Sequence, residues 1–234
     1  MSLQPVDPSG PRSIEVIAFD FDGTLADTTA AILLTTQRTV ASLDLPPFAP
    51  EALLGLIGIP LREALARLGV PAHYSDEAVE RYRSYFPEAA PTIALFPQVA
   101  ASVASLRAHG LRLGVVSSRS RSSLHDLVER LGLKSQFEVV LGEEDADEAK
   151  PSPALVHALA ARIGVAAERM LVVGDTTYDI EMGRAAGALT CAVTYGNHDR
   201  ARLDTARPHH CLDSLTDLWS WLETAGHVGA TGES

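Results

Sequence analysis

Short apolar runs, each stopped by a polar residue, are the clearest pattern in this chain. Residues 14–19 form the first run, which is rich in β-branched side chains and ends at Asp20. It is too short for a stable helix and is typical of a strand buried in a parallel sheet. The same reasoning predicts further strands at 111–116, 137–141, 170–173 and 189–193.

Segments with helical spacing of apolar residues alternate with these strands. A glycine follows several of them, as expected just past a helix C-terminus. Strands that alternate with helices indicate βαβ units, and hence a Rossmann-like α/β core with a parallel sheet between two helical layers. The predicted helices are 98–109, 122–131, 153–163, 178–186 and a closing helix at 212–222.

The stretch from 28 to 90 has a different pattern. Its apolar residues recur at helical spacing, prolines divide it into short helices, and it contains no comparable strand signal. We therefore expect a helical insertion at 28–90 in a core built from 14–27 and 91–234, preceded by a flexible leader at 1–13.

The net charge of −11 argues against broad binding to nucleic acid or to acidic membranes, although local cations can still hold a small anion. The two cysteines form no CxxC pattern, and no apolar run is long enough to span a bilayer. These features predict a cytoplasmic protein without a disulfide framework or a zinc site. The acidic run at 143–148 is expected to be a solvated loop.

Polar residues follow four of the predicted strands: Asp20, Ser117, Asp175, and either Glu143 or the nearby Lys150. In open α/β sheets, ligands bind outside the carboxyl ends of the strands. Residues far apart in the chain are therefore expected to form one site at this edge.

These residue types suit phosphoryl transfer. Asp20, held at a strand end, can attack phosphorus if the charge of the phosphoryl oxygens is neutralised. Asp22 can act as general acid and base, and Gly23 lets the backbone turn close to a ligand.

The remaining residues supply charge and donors. Asp175, with Asp20 and Asp179, offers the oxygen ligands that Mg²⁺ prefers. Ser117 can donate to a phosphoryl oxygen. Lys150 is one of two lysines beside 17 arginines, which hints at a need for a compact point charge there.

Each motif alone has a simpler explanation. Asp-x-Asp-Gly is common in solvated turns, and Ser117-Ser118 or Asp175 with Asp179 could cap a helix. Their joint placement at strand ends favours a catalytic site over these alternatives.

At these residues the chain resembles the haloacid dehalogenase superfamily, and within it the phosphoglycolate-phosphatase-like branch. The resemblance runs from about residue 14 to 222 and rests on four motifs: residues 20–28 (DFDGTLADT), 115–118 (VVSS), 150–153 (KPSP) and 174–179 (GDTTYD).

The resemblance implies a phosphatase that forms an aspartyl-phosphate on Asp20, with Asp22 as acid and base. Ser117 and Lys150 would hold the phosphoryl group. Asp20, the backbone carbonyl of Asp22 and Asp175 would bind Mg²⁺, with Asp179 supporting the metal. The insertion at 28–90 matches the position of the family's helical cap.

Candidate phosphate or substrate contacts are Gly23, Thr24, Ser118, Arg119 and, from the cap, Arg62. For Arg62, a plain surface position is an equal alternative. Ser117-Ser118-Arg119 departs from the Thr-Asn-Lys of many relatives, which weakens any inference about the substrate.

Three rival functions are less favoured. Dehalogenases of the superfamily lack the second aspartate, and sugar-phosphate mutases typically carry Glu-Asp-Ser where this chain has 174–176 (GDT). Phospho-accepting signalling modules are about half as long and have no cap. The expected partner is a small phosphorylated metabolite, and the expected assembly is a monomer or a homodimer. Phosphoglycolate, pyrophosphate, a sugar phosphate and a nucleotide all remain open as substrates.

Overall fold

The computed structural model describes residues 13–228, so residues 1–12 of the expected leader lie outside the described residues. A six-stranded sheet forms the centre of the molecule, and a separate two-stranded pair lies where the chain enters and leaves the insertion. The strands are β1 (Val16–Phe19), β2 (Ala26–Asp27), β3 (Ala94–Leu95), β4 (Arg112–Val116), β5 (Val139–Leu141), β6 (Met170–Gly174), β7 (Leu189–Val193) and β8 (His210–Leu212).

The large sheet is parallel throughout and has the order β5-β4-β1-β6-β7-β8. The first strand in the chain is thus near its centre, with β4 on one side and β6 on the other. In this register Phe19 lies opposite both Val115 and Val173, so β1, β4 and β6 end at the same level. The segments that follow these strands therefore meet at one edge, as the sequence predicts.

Helices surround the sheet and form the insertion. They are α1 (Thr29–Ser42), α2 (Pro50–Leu54), α3 (Leu61–Arg67), α4 (Ser75–Ala89), α5 (Val99–Ala108), α6 (Arg121–Arg130), α7 (Ala154–Ile163), α8 (Thr177–Ala185), α9 (Arg200–Thr205) and α10 (Leu218–Thr224). Within residues 13–228 no helix is long and apolar enough to cross a membrane.

The alternation of side chains along β1 divides the core into two apolar layers. Ile17 and Phe19 pack with residues of α5, α6 and α10, whereas Val16 and Ala18 pack with residues of α7 and α8. Burying each large apolar side chain contributes about 1.5–3 kcal/mol to stability. Both faces of β1 are therefore covered, which confirms the three-layer Rossmann-like class and holds the residue after the strand rigidly.

The insertion is helical, as the pattern indicates, and contains an apolar cluster of its own. Val40 of α1, Leu65 of α3 and Val79 of α4 are buried together there. The antiparallel pairing of Ala26–Asp27 with Ala94–Leu95 joins the two points where the chain passes to and from these helices. The division at 28 and 90, and the reading of this unit as a cap, stay predictions.

The structure differs from the sequence prediction near the C-terminus and in the acidic run. The sequence pattern predicts a closing helix from 212, but Leu212 ends strand β8 and the helix begins at Leu218. In the run at 143–148, the Asp145 side chain is only 1% exposed because it pairs with Arg121 and Arg162. The prediction of a solvated loop is therefore wrong for Asp145.

Candidate active site

Three carboxylates and one lysine meet at the carboxyl edge of the sheet. Oxygens of Asp20, Asp175 and Asp179 all lie within 4.8 Å of one another. Lys150 Nζ donates to Asp20 Oδ1 at 2.5 Å and to Asp179 Oδ1 at 2.6 Å. All four side chains are buried, so these charges interact with little screening by water.

The backbone fixes these side chains. The Asp20 N–H donates to the Val173 carbonyl at 2.8 Å, which continues the pairing of β1 with β6 by one residue. Gly174 has no side chain where Asp179 packs; a Cβ there would lie 2.3 Å from the Asp179 Cβ. Asp179 can therefore approach Lys150 only because residue 174 is glycine.

Burial raises the pKa of the Asp20 carboxyl well above its usual range; Lys150 opposes this, and the charges of Asp179, Asp175 and Asp22 add to it. For Lys150, burial alone would lower the pKa, but the charges of Asp179 and Asp20 outweigh that effect and hold the pKa above its ordinary value. The cluster thus has more carboxylates than the single lysine neutralises.

Asp175 accepts three hydrogen bonds from two segments, the loop after β1 and the loop after β7. Its Oδ1 accepts from Thr24 Oγ1 at 2.9 Å, and its Oδ2 accepts from the Asn197 backbone N–H at 2.7 Å and from Asn197 Nδ2 at 2.8 Å. Burial, followed by the charge of Asp179, raises the pKa of Asp175 to about 7, against the opposing effect of these hydrogen bonds.

Asn197 is a site residue that sequence reasoning missed. It lies in the loop after β7 together with Gly196, where a Cβ would lie 2.3 Å from the Asp175 Cβ. The available signal was the Gly-Asn pair at 196–197, which two residues separate from the end of the strand predicted at 189–193. Gly23, on the other side, has a φ of +89° and would also collide with Asp175 if it carried a side chain.

Asp179 has two contacts at once. Its Oδ1 accepts from Lys150, and its Oδ2 accepts from the backbone N–H of Thr176 at 3.1 Å and from Thr176 Oγ1 at 2.7 Å. The helix-capping alternative for Asp179 is thus observed, and it coexists with a place in the acidic cluster.

Asp22 is engaged by Arg119. Both carboxylate oxygens accept from the guanidinium, at 2.6 Å from Nη2 and 3.1 Å from Nε. The guanidinium also lies over the Phe86 ring of α4, 4.6 Å from its centroid. Arg119, predicted as a substrate contact, therefore connects Asp22 with the helical insertion.

Ser117 and Ser118 follow β4, as predicted, and line the same cavity as Asp20. Ser117 Oγ accepts from the Arg119 N–H at 3.2 Å, whereas Ser118 Oγ donates to the Gly58 carbonyl of the insertion at 2.7 Å. Neither serine is the residue that precedes α6, which is Ser120, so helix capping does not account for them.

Arg62 lies apart from this cluster. Its guanidinium contacts Ser75 and Asp76, both at 2.7 Å, and its side chain is 53% exposed. It lines a neighbouring pocket with Ser118 and Glu143 rather than the cavity that Asp20 lines. Its role in substrate binding stays a prediction.

The acidic cluster fits a divalent metal ion. It supplies three hard oxygen donors, and Asp20 Oδ2 is buried without a hydrogen-bond partner among residues 13–228. A cation beside it would satisfy that oxygen and offset the excess of negative charge. The carboxylate of Asp22 is occupied by Arg119, so only its backbone carbonyl remains as a candidate ligand, as the resemblance implies.

Comparison with known proteins identifies the family. A family model described as haloacid dehalogenase-like hydrolase matches residues 17–193. The chain belongs to this family.

Two similar proteins are named as phosphatases, which supports phosphatase activity for this chain. A probable phosphatase, IndB, of Dickeya dadantii is 33% identical over 212 residues, which is 87% of this chain and 91% of that protein. Phosphoglycolate phosphatase of Escherichia coli is 31% identical over 231 residues, which is 88% of this chain and 92% of that protein.

The fold is shared with solved structures. The crystal structure of a predicted phosphoglycolate phosphatase from Haemophilus somnus has a TM-score of 0.83 at 22% identity and covers 91% of this chain and 99% of its own. A haloacid dehalogenase-like hydrolase from Streptococcus pneumoniae has a TM-score of 0.81 at 26% identity, and the match covers 89% of this chain and 98% of that chain. The predicted family, fold class and phosphatase activity are thereby confirmed.

Proposed function

We propose that this phosphatase hydrolyses small phosphate monoesters with Asp20 as the nucleophile and Mg²⁺ as the cofactor. One observation carries the assignment: Asp20 lines a cavity and has one oxygen held by Lys150 while the other, Oδ2, has no partner among the described residues. A carboxylate held in this way is oriented toward the cavity in which a phosphoryl group would bind.

Asp20, Asp175, Asp179 and the Asp22 carbonyl would hold the metal. When bound, Mg²⁺ would neutralise phosphoryl charge and favour the ionised form of Asp20. Ser117 would donate to a phosphoryl oxygen, and Lys150 would keep Asp20 in place.

In the first step, a carboxylate oxygen of Asp20 forms a bond to phosphorus and the bond between phosphorus and the ester oxygen breaks. Asp22 gives its proton to the departing alcohol. In the second step, Asp22 takes a proton from water, the water oxygen bonds to phosphorus, and phosphate leaves Asp20.

The Arg119 ion pair constrains this scheme. Both oxygens of Asp22 accept from Arg119, so Asp22 can serve the leaving group only when part of this pairing opens. Because Arg119 also lies on Phe86 of α4, a movement of the insertion would change the pairing.

The experiment is hydrolysis of para-nitrophenyl phosphate with Mg²⁺ by the unmodified chain, Asp20→Asn and Asp217→Asn. Asp20→Asn should lose turnover by at least about 10³-fold because the nucleophile is gone. Asp217 is an exposed aspartate outside the cavity, and its variant should retain full activity.

Two further measurements belong to this test. Beryllium fluoride should trap an acyl-phosphate analogue on Asp20, and chelation of divalent metal should stop turnover. Unchanged turnover by Asp20→Asn would refute the nucleophile, and turnover in excess chelator would refute the metal.

A further inference from the structure

A cavity of about 430 Å³ adjoins Asp20, and its wall on the side of the insertion is mostly apolar. Its size lies within the range that binds ligands much larger than a two-carbon acid. The apolar side chains that line it come from all four helices of the insertion and from the loop after α2, and include Ile32, Leu53, Ile57, Leu65, Tyr82 and Phe86.

The positive charges that line this cavity are already engaged or are exposed. Arg119 is paired with Asp22, and Arg130 donates to the Ala90 carbonyl. Arg83 is exposed, and its charge acts on Glu143, which lines the same cavity. Among the described residues, no buried cation of this wall is left to pair with an anionic leaving group.

The phosphoryl end and the leaving-group end of the cavity therefore differ in chemistry. Asp20, Asp22 and Ser117 lie at the first, while buried aliphatic and aromatic side chains such as Leu65, Tyr82 and Phe86 form the second. A carboxylate there would lose its hydration without gaining an ion pair, whereas an alkyl or aryl group would leave water for an apolar surface.

We infer that the substrate of this site is a phosphate monoester whose alcohol carries an extended apolar group, several carbons or a ring in size. This inference rests on the proposed function, since it concerns the leaving group of the same reaction. It separates this chain from an enzyme built for a small carboxylated ester such as phosphoglycolate.

The test is a series of unbranched alkyl phosphates from ethyl to hexyl, with 2-phosphoglycolate as the small anionic alternative. The acidity of the leaving alcohol is nearly constant along the alkyl series, so changes in kcat/KM report contacts with the cavity. We expect kcat/KM to rise up to about fourfold per added methylene. The kcat/KM for phosphoglycolate should be lower than that for hexyl phosphate.

A matched pair of variants locates the effect. Leu56 is half-buried and lines the cavity. In Leu56→Arg, kcat/KM should no longer rise along the alkyl series, and kcat/KM for phosphoglycolate should increase relative to that for hexyl phosphate. Leu34, on α1, is 59% exposed and does not line the cavity, so Leu34→Arg should leave the series unchanged. Circular dichroism and Tm establish that both variants are folded, and Leu56→Ala provides a second cavity variant that should also flatten the series.

The outcomes separate the two proposals. Suppose that para-nitrophenyl phosphate is still hydrolysed in an Asp20-dependent way. The inference is then overturned if kcat/KM is the same along the alkyl series, or if it is higher for phosphoglycolate than for hexyl phosphate. If none of these esters is hydrolysed, the proposed function itself fails, and the inference fails with it.

Discussion

Asp22 is the residue whose chemistry can be separated most sharply from that of its neighbour Asp20. In the proposed scheme, Asp20 is needed for the first step, whereas Asp22 protonates the alcohol and then activates water. A nitrophenolate leaves without a proton, so only the second step then depends on Asp22.

We therefore expect Asp22→Asn to release about one equivalent of nitrophenolate per enzyme from para-nitrophenyl phosphate and then to stall. Rapid-mixing absorbance measures this burst, and Asp20→Asn, which has no nucleophile, should give none. Steady turnover of Asp22→Asn without a burst contradicts the assignment of the acid and base.

Asn197 should set the affinity for the metal through Asp175. Its side chain donates to Asp175 Oδ2 and accepts from Thr29 Oγ1 at 3.1 Å, so Asn197→Ala removes one support of a proposed metal ligand. Loss of such a partner typically costs 10–100-fold in metal affinity.

The measurement is the Mg²⁺ concentration that gives half-maximal activity, which should rise by about 10–100-fold in Asn197→Ala while kcat at saturating Mg²⁺ changes much less. Gln37→Ala, which removes an exposed amide on α1, should leave that concentration unchanged. If Asn197→Ala and the unmodified chain need the same Mg²⁺ concentration for half-maximal activity, Asn197 does not support metal binding.

At the level of residues, the sequence predicted the groups at strand ends but not their partners. Asp20, Ser117 and Asp175 were predicted because a strand end fixes where the next residue lies. The pairing of Arg119 with Asp22 depends on the rotamers of two long side chains, and a linear pattern holds no information about these.

At the level of elements, Asp145 connects three segments that follow β4 and β5. Its Oδ1 accepts from Arg121 at the start of α6 and from Arg162 near the end of α7, while its Oδ2 accepts from Arg121 and from the Gly142 N–H. Burial alone would raise the pKa of Asp145, but these hydrogen bonds outweigh it and lower the pKa from its ordinary value of 3.8.

Asp145→Asn should therefore reduce the free energy of unfolding by about 1–3 kcal/mol at pH 7. Because the pKa of Asp145 is lower when folded, its contribution is present above pH 3.8 and is lost as the pH falls below that value. The difference between the variant and the unmodified chain should shrink accordingly.

Urea unfolding between pH 3 and pH 7 measures this difference. Asp147→Asn, in the same acidic run but exposed, should match the unmodified chain at every pH. Equal destabilisation by the two variants would show that the run acts through its total charge rather than through the contacts of Asp145.

The elements that sequence patterns missed are short. Strands β2 and β3 have two residues each, too few for an alternation to be visible, and both lie beside longer helices. Strand β8 has three residues at the edge of the sheet, and its apolar Leu212 fits the spacing of the helix that begins at Leu218. Element type was predictable where a pattern ran long enough to show its period.

At the level of the whole molecule, the metal should stabilise the fold as well as assist the reaction. Asp20, Asp175 and Asp179 are buried around one lysine, so a bound cation relieves repulsion that exists only in the folded state. At 100 times its dissociation constant, Mg²⁺ should add about 2.7 kcal/mol.

For a chain of this size, that gain corresponds to a rise in Tm of roughly 5–10 °C. Scanning calorimetry with Mg²⁺ and with chelator measures it, and Asp175→Asn should abolish most of the difference. An identical Tm in both conditions would contradict a metal site in the folded chain.

The central position of β1 has a consequence for synthesis in the cell. β1 leaves the ribosome first, yet its neighbours β4 and β6 and the loop with Asn197 are made much later. At roughly 5–20 residues per second, Asp20 precedes Asn197 by about 10–35 s. For most of that interval β1 lacks the strands that pair with it, and Asp20, the proposed nucleophile, lacks the other carboxylates of the cluster. Catalytic competence in the proposed scheme thus requires that synthesis has passed the loop that holds Asn197.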